Sequence, residues 1–193
     1  MARVALHITG DPEADSFLSE DPLALIIGML LDQQVTMEKA FSSPAELARR
    51  LGGPLDAAAI AALPLDRLTE LFKERPALHR YPGSMAGRVQ ELCRVIAEDY
   101  GGQADAIWRD VKSGEELVKR LNSLPGFGER KAKIFVALLG KQLGVDPEGW
   151  QAATKPYGDV DAFLSVADIT SPETLEKVRA NKRAIKAKAH AKA

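Results

Sequence analysis

Leu121-Asn-Ser-Leu-Pro-Gly-Phe-Gly-Glu-Arg-Lys-Ala-Lys-Ile-Phe-Val-Ala-Leu-Leu139 is the stretch from which the rest of the chain is best read. Glu115 to Leu121 has the pattern of a short amphipathic helix, and Ile134, Phe135, Leu138 and Leu139 recur at helical spacing beyond it. Between the two runs lies a hairpin, Leu124-Pro125-Gly126-Phe127-Gly128. Glycine at Gly126 and Gly128 permits backbone angles that a side chain forbids and leaves the amides uncovered, while Phe127 is placed to turn inward and pin the turn. Those amides open the second helix, whose first turn brings Arg130, Lys131 and Lys133. A helix N-terminus with free N–H groups and neighbouring cations is an anion site, and a phosphodiester is the anion it suits.

Upstream, Asp21-Pro22 has the form of an N-cap followed by proline at the first helical position. Leu23 to Leu31 is apolar almost all round, which predicts a helix at the centre of a core. It runs into a polar stop, Asp32-Gln33-Gln34-Val35-Thr36. Further helices are expected from Ser43-Pro44 to Gly52-Gly53, from Ala57 to Leu63 behind Asp56, from Leu65 to Phe72 behind Pro64, and from Met85 to Tyr100 behind Ser84. The loop Arg75 to Ser84 offers His79, Arg80 and Tyr81 for stacking or phosphate contact. Cys93 falls in an apolar stripe with Val89, Leu92 and Ile96 and reads as a buried small residue. Val4, Leu6 and Ile8 alternate weakly, too short a run for a sheet, and are read as an extended arm with His7 on its surface.

The chain has 193 residues and a formal net charge of -1. That length buries one good-sized core or two small lobes. With no long apolar run and no leader pattern, it is expected to be soluble and cytoplasmic, without membrane association. One cysteine excludes an intramolecular disulfide and a four-cysteine iron–sulfur cluster. Charge is unevenly placed: Asp11, Glu13, Asp15, Glu20 and Asp21 crowd the start, whereas Lys119 to Lys141 and Lys177 to Lys192 are basic, so one face is suited to phosphates. Residues 1–21 form the arm, 22–143 a helical domain with the hairpin motif at 115–139, and 144–193 an insertion loop and a basic C-terminal helix expected to pack with the arm.

Leu-Pro-Gly-Phe-Gly-x-x-x-Ala resembles the helix-hairpin-helix motif of the HhH-GPD base-excision DNA glycosylases, and Met29-Leu-Leu-Asp-Gln-Gln-Val-Thr36 is similar to the segment that fills the gap left by an extruded base in that superfamily. Both occur here in the family's order. The resemblance implies an all-α, two-lobed fold of about ten helices, with a reduced C-terminal lobe and without the cluster that some relatives carry. It implies that Gln34, with Gln33 beside it, enters the duplex as a wedge, since a glutamine amide replaces lost base-pair hydrogen bonds while its stem fills the stack. It assigns Gly126, Phe127, Gly128, Arg130, Lys131 and Lys133 to DNA binding.

The family's catalytic aspartate follows the hairpin helix. Here the long segment Gly144 to Gly158, expected to act as a lid or wall, comes first. Val160-Asp161-Ala162 is similar to the endonuclease III-like pattern, and Asp161-Ala-Phe-Leu-Ser-Val-Ala-Asp168-Ile169 to that of alkyladenine glycosylase II, which favours Asp168 over Asp161 and leaves Asp159 a distant third. Such a carboxylate stabilises the oxocarbenium charge as the N-glycosidic bond breaks and activates water. Where some members carry a Schiff-base lysine, this chain has Arg130, a poor nucleophile, so the expectation is a monofunctional glycosylase without AP-lyase activity. It is expected to act as a monomer on lesion-bearing or mismatched duplex DNA, with no metal and no other cofactor. The alternative is a noncatalytic helix-hairpin-helix DNA-binding protein.

Overall fold

A computed structural model describes residues 5–193, which are mostly helical. Ten α-helices follow one another: α1 Pro12–Glu20, α2 Pro22–Leu31, α3 Met37–Leu51, α4 Ala57–Ala62, α5 Leu65–Lys73, α6 Pro82–Asp99, α7 Gly114–Asn122, α8 Glu129–Gln142, α9 Trp150–Ala153 and α10 Pro172–Ala191. No strand forms among the described residues, as the all-α reading requires, and none of the helices is long and apolar enough to cross a membrane.

α2 is the axis of the fold. Asp21 accepts from the amides of Leu23 and Ala24 (2.9 and 3.2 Å), and Leu23 through Leu31 are all buried. α1, α3, α6 and α8 all contact it, so every other helix is positioned directly or indirectly by this apolar rod.

The N-terminal segment, read as an extended arm with His7 on its surface, forms no strand and is bonded to α1. Val4 lies outside the described residues; Leu6 and Ile8 are buried and His7 is exposed. In place of a partner strand, side chains of α1 take the backbone donors: Leu6 N–H donates to Ser19 Oγ (3.0 Å) and Ile8 N–H to Asp15 Oδ1 (3.0 Å). α1 itself carries the same Asp-Pro start as α2, with Asp11 Oδ1 accepting from Glu13 N–H at 3.0 Å. The acidic crowd at the start of the chain is therefore partly structural, since Asp11 and Asp21 cap helices and Asp15 binds the arm.

Two helix starts also move. α3 begins behind Thr36 and runs through Pro44, whereas the sequence reading began a helix there. Proline inside a helix forgoes a hydrogen bond and costs about 3 kcal/mol. Burial of Met37, Ala40, Phe41, Pro44 and Leu47 along one face offsets that cost. α6 starts at Pro82, not Met85, because proline at the first position needs no N–H partner. Ser84 therefore lies inside the helix. Cys93 is buried as expected, and burial pushes its thiol up to about 12.

The segment expected to act as a lid or wall braces the α7–α8 pair at its base. Gly114 N–H donates to Glu148 O (2.8 Å) and Glu148 N–H to Lys112 O (3.1 Å). Trp150 lies against Gly114 and Gly140, where a Cβ on either glycine would stand under 3 Å from its atoms. Gly140 is at the far end of α8 from the hairpin, so α9 braces the base of the α7–α8 pair and leaves the turn uncovered.

Candidate nucleic-acid interface

The α7–α8 turn is built from its apolar residues inward. Leu124 and Phe127 are buried, and Phe127 meets Phe135 edge-on with ring centroids 6.2 Å apart. Gly126 is in the left-handed region at φ +79, and a Cβ there would stand 2.9 Å from Leu30 Cδ1 of α2. Two constraints thus require glycine at Gly126: backbone angle and the seat on α2.

Gly128 is different. Its φ of -116 and ψ of 179 are extended, and a Cβ would meet nothing within 4 Å, so the expectation that its backbone needs glycine is corrected. What glycine leaves open there is the approach to the start of α8, where no side chain caps the first-turn amides.

The three cations of that turn have separate fates. Arg130 is exposed. Lys133 is ion-paired to Glu129 at 2.8 Å. Lys131 turns inward, and its Nζ donates to Leu30 O at 2.8 Å, across 101 residues of chain. A cation capping a carbonyl at the end of α2 complements the helix dipole. Burial pulls its amine down to about 8, against the opposing influence of Asp32.

Hairpin and Gln34 segment therefore meet at Leu30. Gln33 is tied down: its Nε2 donates to Leu30 O (3.1 Å), and its Oε1 accepts from Arg88 of α6 (3.2 Å). Gln34 is exposed, at φ 57, with no hydrogen bond from its side chain among the described residues. Holding a non-glycine residue there costs about 1–2 kcal/mol, which the surroundings must supply.

Beside this loop stands His79, read from sequence as a surface contact and found 2 % exposed. Its Nε2 lies 2.9 Å from Gln33 O and 3.1 Å from Leu31 O, and its Nδ1 accepts from Tyr81 N–H at 3.0 Å. Two carbonyls on one nitrogen and an amide on the other assign the neutral Nε2–H tautomer. Burial lowers its pKa, and the charges of Lys131 and Arg88 add to that effect, while the two backbone hydrogen bonds oppose it.

The carboxylates lie in three settings. Asp168 is buried, its Oδ1 2.6 Å from Lys141 Nζ and its Oδ2 accepting from Leu164 N–H at 3.1 Å. Lys141 is ten residues from Lys131 along α8, a rise of about 15 Å, so Asp168 sits by the end of α8 away from the hairpin. Asp161 is exposed at φ 53, and the carbonyl of Asp159 accepts from Lys141 Nζ at 2.7 Å. The third is Asp32, passed over in the sequence as part of a polar stop. It is half-buried two residues before Gln34, and burial raises its pKa against the influence of Lys182, Lys131 and Arg130. Lys182 comes from α10, which is anchored on α3 by the Arg179–Glu38 ion pair.

Two sequence-distant segments, the glycine hairpin at the start of α8 and the glutamine loop after α2, thus meet at Leu30. No curated protein matches the chain. The family profile described as HhH-GPD superfamily base excision DNA repair protein matches residues 27–192, a span that takes in the glutamine loop, the hairpin and all three carboxylates. The chain belongs to the HhH-GPD superfamily of base excision DNA repair proteins.

Proposed function

We propose that this protein is a DNA glycosylase that extrudes a damaged or mispaired base from duplex DNA and hydrolyses its N-glycosidic bond. The observation that carries the reading is the meeting at Leu30: Gly126 is seated on its side chain and Lys131 on its carbonyl, so a backbone clamp and Gln34 are held in fixed relation. With the α8 amides and Arg130 on a phosphate, Gln34 faces the stack without a further change of the hairpin. Gln34→Ala is expected to lower excision by at least about tenfold, since extrusion costs a few kcal/mol, while affinity for undamaged duplex stays within about twofold. Equal losses in both measurements would remove the wedge role.

On the family resemblance the acid is Asp168, with Asp161 second; proximity to Gln34 adds Asp32. Each would act by stabilising positive charge on the sugar and activating water. Monofunctional action is supported by the exposed guanidinium of Arg130 at the matched position and by the engagement of the Lys131 amine with Leu30 O. Product strands are expected to stay intact until alkali is added, and borohydride is expected to trap no adduct. An adduct lost in Lys131→Gln would make the enzyme a lyase.

The alternative, a noncatalytic DNA-binding protein, draws on one observation, the commitment of Asp168 to Lys141. A glycosylase assay over a broad lesion panel, with alkali to reveal abasic sites, separates the two. Excision of any base supports the enzyme, and none selects the binder.

A further inference from the structure

Gln34 performs no wedge function unless its loop is stiff. Inserting a side chain into a base stack returns energy only if the backbone behind it does not yield, and an ordering cost at that moment would be subtracted from the extrusion rate. The loop from Asp32 to Thr36 is short, holds Gln34 in a left-handed conformation and follows a helix whose last carbonyls have no partner within the helix. Among the described residues, four side chains from elsewhere in the chain reach this loop or the end of α2, one being Met85, whose sulfur accepts from Gln33 Nε2 at 3.6 Å. Lys131 takes Leu30 O, Arg88 takes the Gln33 side chain, and His79 takes two backbone carbonyls, Leu31 O and Gln33 O, on either side of the helix end. Gln33 itself bonds back to the helix, through its amide to Leu31 O (2.7 Å) and its side chain to Leu30 O, and of the side chains from elsewhere His79 is the one that joins backbone carbonyls of the helix and of Gln33. Its ring is in turn fixed by Tyr81 N–H on the opposite nitrogen.

We propose that His79 is a positioning residue for base extrusion: by bridging Leu31 O and Gln33 O with one N–H, it holds the loop rigid so that Gln34 enters the duplex preorganised. The proposal rests on the wedge reading of Gln34. It makes no contact between His79 and DNA, and it separates His79 from its exposed neighbours Arg80 and Tyr81.

The protonation chemistry gives a handle that packing alone does not. The neutral ring donates from Nε2 and accepts at Nδ1; adding a proton turns Nδ1 into a donor facing the Tyr81 N–H donor, so the ring must move and the bridge is lost. The charged groups facing His79 are Lys131 from α8 and Arg88 from α6, with Tyr81 beside it on the same loop. Because its pKa is lowered in the fold, the bridge is fully present at and above the ordinary histidine value of about 6.5 and is lost only as pH falls through the depressed folded-state value beneath it.

The test uses the full chain and a duplex bearing a tetrahydrofuran abasic analogue opposite 2-aminopurine, whose fluorescence reports insertion into the gap in stopped flow. Gln34→Ala is the reference and is expected to abolish the insertion phase. If it inserts like the parent, the wedge reading fails, and with it the proposal. With that reference in place, His79→Leu, which keeps bulk and removes the donor, is expected to slow insertion by about tenfold, the equivalent of one or two hydrogen bonds, with affinity for undamaged duplex kept. His79→Gln, which retains an N–H at the reach of Nε2, is expected to insert at close to the parental rate. A His79→Leu protein that inserts as fast as the parent overturns the proposal. Should that variant not fold, the decision passes to pH. As pH is lowered from 7 to the acid limit at which both proteins stay folded, insertion by the parent is expected to fall before that of His79→Gln, and parallel declines, which would report Asp32 or another carboxylate, or no decline of the parent, overturn it.

Discussion

Asp168→Asn is expected to destabilise the fold by about 3 kcal/mol whether or not the residue is catalytic, because it leaves Lys141 with only 16 % of its side chain exposed and its carboxylate partner gone. For a chain of this size that corresponds to a fall of roughly 6–12 °C in Tm. A loss of excision in Asp168→Asn is therefore not enough to name the acid, and Lys141→Gln supplies the comparison. It breaks the same ion pair and keeps the carboxylate. If Asp168 is the acid, single-turnover excision in Asp168→Asn falls by at least about a hundredfold beyond that of Lys141→Gln, at a temperature where both are folded. If the two variants lose activity together, the pair is structural. Asp32→Asn then separates the remaining possibilities. Its carboxylate is pushed up by burial and lies within reach of three cations without an ion pair, so neutralising it is expected to leave Tm within a degree or two. Loss of excision with unchanged Tm and unchanged duplex affinity would place the acid at Asp32, beside the wedge. Asp161 is exposed, and Asp161→Asn is expected to change neither stability nor affinity, so any effect on the chemical step there is directly readable.

What the sequence made legible was what short-range rules govern. The α7–α8 hairpin, the apolar rod of α2 and the caps at Asp21 and Asp56 each depend on residues within one or two helical turns, and the pattern survives in the chain as written. The start of α3 differs from the sequence expectation because Ser43-Pro44 is a strong local start signal, and only the burial of Phe41 and Leu47 on one face says that the helix passes through it. α1 carries the same start signal, Asp11-Pro12, as α2, but its polar residues leave only a weak apolar stripe to mark it as a helix. The site was legible in outline and not in detail. The resemblance implies that Gln34 and the hairpin both address DNA, but not that they meet at Leu30. That Lys131 faces inward while Arg130 stays out, or that His79 is a strut, depends on contacts between 46 and 101 residues apart, which leave no period in the sequence.

Gly126→Val carries the second large effect, and Gly128→Val is its control. At Gly126 a β-branched side chain meets φ +79, a conformation costing about 1–2 kcal/mol for an L-residue, and its Cβ falls 2.9 Å from Leu30 Cδ1, on a side chain that is fully buried and has no room to retreat. The hairpin must lift from α2, which breaks the seat that aligns the α8 amides with Gln34. A Tm lower by roughly 5–10 °C is expected. Affinity for any duplex should fall by at least about tenfold with a shallower salt dependence, because the amides and Arg130 no longer address one phosphate. At Gly128 the backbone is extended and a Cβ stands in open space, so Gly128→Val should fold with the parental Tm and still bind duplex more weakly, its side chain covering the entry to the same amides. Thermal unfolding with duplex titrations at several salt concentrations measures both. Parental affinity in a folded Gly128→Val protein would mean that no phosphate docks at the start of α8. A Gly126→Val protein with parental stability would mean that Leu30 does not hold the hairpin, and the fixed relation between clamp and wedge would go with it.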